Sequence, residues 1–514
     1  MMLVKTFGSA VYGVEAITIT IEVNVMPGSN YYIVGLADNS IKESIQRIES
    51  AFKTNNYHMP RTKLIINLAP ADIKKSGAAF DLPIAIGILA ASEQLENAGR
   101  LSDYVIMGEL NLDGSIHPIR GALPIAITSW NDKFKGLILP IQNSREAGMV
   151  NNIKVYAVSH LKQVVEFFKD EASLDPVLVD TREEFLHSQS TFDVDFDDVK
   201  GQANIKRSLE IAAAGGHNVI LIGPPGAGKT MLAKRLPTIC PPLSLKEALE
   251  TTKIHSVAGK LPPGSGLIAK RPFRTPHHTI SDVALVGGGS NPQPGEISLA
   301  HNGVLFLDEL PEFKTAVLEV LRQPLEERRV TISRARVSIE FPANFMLVAS
   351  MNPCPCGYFN HPEKECTCVP GTVQKYLNKI SGPLLDRIDL HVEVTPVSYS
   401  ELTDRTRRAS SEEIRSRVMA ARAVQEERYR EHHDIYCNAM ITPNLLSECC
   451  KIDIVGSNLL KNAMAKLNLS ARAYDRILKV SRTIADLETS GYIQPQHIAE
   501  AIQYRSLDRE GWAG

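Results

Sequence analysis

The sequence predicts a multidomain chain with three successive fold classes: an α+β region, an α/β region on a parallel sheet, and a region that is helical throughout. Three observations carry this prediction. Residues 1 to about 170 alternate period-two runs with helical periods. Residues 196–395 hold short, mostly apolar runs at 219–222, 303–307 and 345–350, the kind buried on both faces of a parallel sheet. From 396 to 514 apolar residues recur at helical spacing, with Thr442-Pro443 and Gln494-Pro495 marking helix starts.

At 514 residues the chain exceeds one ordinary core. Its 44% hydrophobic and 22% charged residues are those of a globular protein. A formal net charge of −2 offers no attractive field, so any polyanion must be met by a local basic surface. Residues 1–23 lack the order of a secretory signal and read as strand. The longest apolar stretch, 82–91, is about half of what spans a bilayer and contains Pro83. The expectation is a cytoplasmic protein with no membrane partner.

In the first region, strands are expected at 16–25, 64–68, 105–107, 136–139 and 155–158, and helices at 40–54, 81–94 and 161–169. No catalytic cluster stands out there. Residues 171–195 turn acidic and irregular (EASLDP, DTREEF, DVDFDDV) and read as a linker.

Within 196–395 the segment NVILIGPPGAGKT at 218–230 sets a glycine-rich loop between an apolar run and a helical pattern. The loop residues Gly223, Pro224, Pro225, Gly226, Ala227 and Gly228 let successive backbone N–H groups face a phosphate. Lys229 would reach the outer phosphates and Thr230 would offer a hydroxyl to Mg²⁺. A purely structural Gly/Pro turn is the bland alternative. Downstream, the run 303–307 ends in Asp308 and Glu309, suited to holding the metal and to polarising an attacking water. The run 345–350 leads to Asn352, whose amide could orient the same water.

Two basic segments are candidate nucleic-acid grips. Residues 251–280 carry Lys253, Lys260, Lys270, Arg271 and Arg274 with three histidines and no acid. Residues 322–336 include Arg328, Arg329, Arg334 and Arg336, with an expected hairpin strand after Arg329 and its return at 337–341. Arginines there would position a backbone without reading sequence, or else serve subunit interfaces.

Four of the eight cysteines, Cys354, Cys356, Cys366 and Cys368, fall in one short window. Two closely spaced thiol pairs can close a tetrahedral Zn²⁺ shell, which would brace the loop after Asn352; reduced free thiols are the alternative. Cys240, Cys437, Cys449 and Cys450 lack such spacing.

Residues 74–83 (KKSGAAFDLP) and 107–118 (MGELNLDGSIHP) resemble the proteolytic domain of Lon, in which a lysine activates a serine. Laid on that pattern, the serine falls on Ala79 and the lysine near Leu123, so a Lon-like fold without peptidase activity is expected for 1–170. Ser76 with Lys74 or Lys75 is the one displaced dyad available.

The order of phosphate loop, Asp308-Glu309, Asn352 and GPLLDRID at 382–389 resembles AAA+ ATPases. The resemblance implies Asn352 as sensor 1, Arg387 as an arginine finger reaching a neighbour's site, and Arg472, in LSARAYDR at 469–476, as a sensor 2 contact to the γ-phosphate from a helical lid spanning 396–514. Closer still, RPFRTPHH at 271–278, VGGG at 286–289, PGEISLAHNG at 294–303 and MNPCPCG at 351–357 resemble the YifB/ComM group of magnesium-chelatase-like AAA+ proteins. That match spans the chain, whereas the resemblance to true chelatase subunits is expected to cover the ATPase part alone. It implies an ATP- and Mg²⁺-dependent homo-hexameric helicase that moves branched DNA during competence. A motor that remodels a protein partner is the competing class.

Overall fold

The computed structural model describes residues 3–505 except 181–184, 186–188, 190, 191, 263, 290, 291, 335, 336, 362, 398–408, 433, 434 and 468. The chain divides into two compact units. One gathers Met1–Ser188, Leu245–Ala269 and Pro292–Pro294, and the other gathers Gln189–Ser244, Lys270–Asn291 and Gly295–Gly514.

The first unit is built on a seven-stranded mixed sheet. Its strands are β1 (Leu3–Tyr12), β2 (Glu15–Met26), β3 (Tyr31–Val34), β4 (Lys63–Ala69), β5 (Tyr104–Ile106), β6 (Gly136–Pro140) and β7 (Lys154–Val158), in the order β3-β4-β2-β1-β5-β6-β7. β1 and β2 form an antiparallel hairpin, and β5, β6 and β7 run parallel. Alternation in β2 sends Ile19, Ile21 and Val23 inward on one face, as period two requires. The apolar run at 82–91 becomes α1 (Asp81–Ala91), buried along its whole length against β1 and β2. Its first-turn Asp81 is paired with Arg47 at 2.6 Å. Among the described residues no helix is long and apolar enough to cross a membrane.

Helices α2 (Ala122–Asn131) and α3 (Ile141–Gly148) pack together in this unit. The later helix Leu245–Val257 lies on α2, burying Ala248, Ile254 and Val257. Ser256 donates to the buried carboxylate of Glu146, which also accepts from the Leu123 backbone N–H at 2.9 Å. A segment read from sequence as part of the 196–395 domain therefore folds with the N-terminal unit. Its apolar residues find their partner there.

The second unit holds a five-stranded, wholly parallel sheet. Its strands are β8 (Val219–Ile222), β9 (Phe273–Arg274), β10 (Val304–Leu307), β13 (Met346–Met351) and β14 (Leu390–Glu393), in the order β9-β10-β13-β8-β14. Between β10 and β13 runs the expected hairpin, β11 (Arg329–Arg334) with β12 (Val337–Pro342). Both neighbours of β8 come from later in the chain. The crevice at its carboxyl end is thus a topological switch point, where open parallel sheets bind ligands.

Helix α4 (Ala203–Gly215) precedes β8, and α5 (Lys229–Ile239) follows the glycine-rich loop. The C-terminal helices are α6 (Ser411–Arg428), α7 (Pro443–Cys449), α8 (Ile454–Leu467), α9 (Ala471–Leu487) and α10 (Pro495–Gln503), with proline in the first turn of α7 and of α10. α6 and α9 pack on α4, and Ile414, Val418, Ile477 and Ile484 share one apolar core with Leu209, Val219 and Leu390. The region expected as a separate lid is continuous with the sheet's core. α6 buries one stripe of its surface, Ile414, Val418, Ala421 and Gln425.

Candidate active site

Three parallel strands deliver their carboxyl ends to one crevice. After β8 the chain passes through Gly226 and Gly228, both at positive φ (78° and 82°), a conformation open to glycine at little cost. Gly228 caps α5, whose N-terminal end and free N–H groups face the loop. Lys229, nearly buried, donates to the carbonyls of Gly223 (2.7 Å) and Pro224 (3.0 Å) and to Asn352 Oδ1 (3.1 Å). Burial pulls its pKa down, against the attraction of Asp308 and Glu309.

Thr230 Oγ1 donates to Asp308 Oδ2 at 2.8 Å. Asp308 Oδ1 accepts from the Ser350 hydroxyl and from the Glu309 N–H at 3.1 Å. A hydroxyl beside an oriented carboxylate is a hard-oxygen donor set that fits Mg²⁺ next to a phosphate. Glu309 sits at φ 55°, an uncommon backbone state for a non-glycine residue and one found at functional sites. Its Oε2 lies 3.8 Å from His278 Nδ1. Gln202 donates to the Ala227 carbonyl at 2.9 Å, while its Oε1 is buried with no partner among the described residues.

The structure thus brings together Lys229, Thr230, Asp308, Glu309 and Asn352. Sequence reasoning missed Ser350, His278 and Gln202 as neighbours of that group. Ser350 could have been found from its place in the strand that precedes Asn352. His278 belongs to a stretch read as a polyanion grip and as a mark of the family resemblance, with no role given to its imidazole.

Arg387 and Arg472 lie elsewhere. Arg387 is 7% exposed, pairs with Glu326 at 2.5 Å and donates to the Pro383 carbonyl at 2.6 Å, and its backbone carbonyl accepts from Asn218, the residue before β8. The sequence reading has it projecting; it is instead tucked in by its own chain. Arg472 pairs with Asp386 at 3.6 Å. One turn further along α9, Arg476 bonds Asp389, at the amino end of β14. The resemblance implies a γ-phosphate contact for Arg472; within this chain it pairs with Asp386, and that stretch of α9 meets the amino ends of the strands, opposite the phosphate loop.

The basic segment 251–280 does not form one stripe. Lys253 pairs with Glu15 (3.1 Å), and Arg271 donates to the carbonyls of Pro241 and Asn302. Arg274 makes a two-point bond to Glu296 at 2.6 and 2.7 Å. Arg271 and Arg274 are therefore structural, since satisfied, partly buried guanidiniums have little left for phosphate. Lys260 and Lys270 are exposed, in different units. Arg336 and the Arg334 side chain lie outside the described residues.

Cys354, Cys356, Cys366 and Cys368 converge, their sulfurs all within 4.8 Å of one another. In the first unit, Ala79 lies in a short turn and Leu123 is buried at the start of α2, while Lys75 donates to the Pro70 carbonyl.

Comparison with known proteins agrees with this arrangement. The family model described as "Magnesium chelatase, subunit ChlI" matches residues 195–402, and its C-terminal companion matches 408–505. A model described as "Subunit ChlI of Mg-chelatase" matches 21–143, so the similarity to chelatase subunits is not confined to the ATPase part. The chain is 42% identical to Competence protein ComM of Haemophilus influenzae, covering 99% of this chain and 98% of that one. It is 43% identical to YifB of Escherichia coli, over 97% and 96% respectively. Similarity to Lon protease 2 of Bacillus subtilis is weaker, 29% identity over 31% of this chain and 33% of that one. With its phosphate loop, its acidic strand end and relatives matched nearly end to end, the chain belongs to the magnesium-chelatase-like AAA+ family that includes ComM and YifB.

Proposed function

We propose that the chain is an ATP hydrolase that works as a ring-forming motor on DNA. The observation that carries the hydrolysis is the meeting of Thr230 with Asp308, and of Lys229 with Asn352, at the carboxyl ends of three strands of one parallel sheet. The loop N–H groups and Lys229 bind the phosphates of ATP. Thr230 and Asp308 hold Mg²⁺, which neutralises charge on the phosphates when bound. Glu309 takes a hydrogen bond from the attacking water and draws off its proton, and His278 sets the direction of that carboxylate. Asn352 fixes the amine of Lys229 and, through it, the outer phosphate.

Arg387 and Arg472 stand on the amino-end side of the sheet. In this reading both serve the site of a neighbouring chain in a homo-hexamer, with Arg387 released from Glu326 on assembly. Hydrolysis then depends on ring formation, because developing charge is met by arginines the single chain cannot supply. The N-terminal unit is a Lon-like domain without the serine and lysine that peptidase chemistry needs. The protein works in the cytoplasm.

DNA as the substrate is supported by the family resemblance and by kinship with a protein named for competence. The pairing of Arg274 with Glu296 favours a second reading, a motor acting on a protein partner, because it removes a residue counted toward the DNA grip. Hydrolysis measured with no polymer, single strands, duplex and a four-way junction separates the two, with Glu309→Gln as the blank. Stimulation by DNA that weakens as salt rises supports the DNA motor. Turnover indifferent to every DNA overturns it in favour of a protein partner.

A further inference from the structure

The loop that follows Asn352 carries the four-thiol cluster. Cys354 Sγ lies 3.2 Å from Cys356 Sγ and 3.7 Å from Cys366 Sγ, and the latter two are 3.5 Å apart. A disulfide needs about 2.05 Å, so these are not bonded pairs. Four thiolates around one zinc at about 2.3 Å stand about 3.8 Å from each other, close to the spacing seen. Thiols are weak donors and acceptors, and four of them gathered here have little reason to converge without an ion. His361, the nearby imidazole, already accepts the Glu363 and Lys364 N–H groups at Nδ1 (3.0 and 3.1 Å), and four sulfurs complete a tetrahedron without it.

The loop also touches the phosphate loop. Gly357 is at φ 86°, and a Cβ placed on it would fall 2.5 Å from Pro225 Cδ. Its N–H donates to the Cys354 carbonyl at 3.0 Å, so the first ligand's backbone and the Pro225 contact are one turn of chain. On the other side, Cys354 is two residues from Asn352, which holds Lys229.

We propose that Cys354, Cys356, Cys366 and Cys368 bind one zinc ion, and that this ion clamps the loop so that Asn352 and Gly357 hold the phosphate loop in place. The second half rests on the ATP-site reading above; the first does not. Closing a loop of this length with an ion removes disorder that the loop would otherwise lose on binding nucleotide.

The test uses the full-length protein as purified. Metal content by inductively coupled plasma mass spectrometry should give about one zinc per chain, released as a mercurial titrates about four thiols. Cys366→Ser should lose the zinc and weaken binding of a fluorescent ATP analogue about tenfold, while Cys449→Ser keeps both. Should Cys366→Ser fail to fold, Gly357→Ala should keep the zinc yet weaken nucleotide binding. Lys229→Ala should keep the zinc and lose the nucleotide, which separates failure of the metal site from failure of the ATP site. Protein without bound metal, iron with visible absorbance in place of zinc, or full zinc in Cys366→Ser overturns the site. Unchanged nucleotide affinity in both loop variants overturns the clamp.

Discussion

Thr230 Oγ1 and Asp308 Oδ2 are 2.8 Å apart although their strands, β8 and β10, are not neighbours. β13 lies between them, and its Ser350 hydroxyl donates to the other oxygen of the same carboxylate. The hydroxyl of β13 thus aims the carboxylate of β10 at the loop of β8. Ser350→Ala should leave the fold intact and raise the Mg²⁺ concentration needed for half-maximal hydrolysis by about tenfold, the usual cost of losing a residue that orients a ligand. Thr230→Ala should be more severe, since it removes a ligand outright. A Ser350→Ala protein with an unchanged Mg²⁺ titration would mean that Asp308 needs no such support.

Glu309 and His278 make a second pair. At φ 55° the Glu309 backbone is held where few residues rest, and the imidazole at 3.8 Å is positioned to steer its carboxylate. Glu309→Gln should keep ATP affinity and lose turnover by roughly 10²-fold or more, the span of general-base catalysis. His278→Ala should lower kcat by about tenfold with little change in KM, because a mis-aimed base harms the transition state alone. Parallel loss of kcat and affinity in His278→Ala would point to a binding role instead.

Arg472 and Lys229 can be separated by mixing. If Arg472 serves a neighbour, Lys229→Ala chains and Arg472→Ala chains, each inactive alone, should regain part of the wild-type rate when co-assembled. Sites with an intact Lys229 then receive Arg472 from the next chain. If Arg472 acted on its own chain's nucleotide, no site in the mixture would be whole and the rate would stay at background. The same experiment with Arg387→Ala tests whether the pair with Glu326 opens on assembly.

Much of this was readable in the sequence because the signals are local. The turn from β8 to α5 needs glycine at 226 and 228 whatever surrounds it, and a run such as 304–307 has few places to be except inside a sheet. What was not legible depends on tertiary pairing. Lys253, Arg271 and Arg274 look like a basic surface until Glu15, the carbonyls of Pro241 and Asn302, and Glu296 are brought to them. The helix Leu245–Val257 has no periodicity that says which core it joins. Its Ser256 meets Glu146, more than a hundred residues earlier, and chain order gives no hint of that.

Asp389 is the fixed point at the opposite strand ends from the phosphate loop. It is 1% exposed, accepts from the Asn218 N–H at 2.9 Å and from Arg476 at 2.7 Å, and lies 3.5 Å from His217 Nδ1. Burial alone would raise its pKa, yet Arg476 and His217 hold the carboxyl far below the usual carboxylate range. A folded-state pKa below the unfolded value stabilises the protein above about pH 4, and that contribution fades as pH falls toward the folded value. Asp389→Asn leaves Arg476 with a neutral partner in a mostly buried place, so it should cost about 3 kcal/mol at pH 7, read as a lower urea midpoint. The gap from wild type should narrow as pH drops below about 4. Asp389 lies at the amino end of β14 while the phosphate loop leaves the carboxyl end of β8, so at a temperature where the variant is folded its ATP affinity should match wild type. A variant of normal stability that fails to bind ATP would instead mean that the strand ends communicate along β8 and β14.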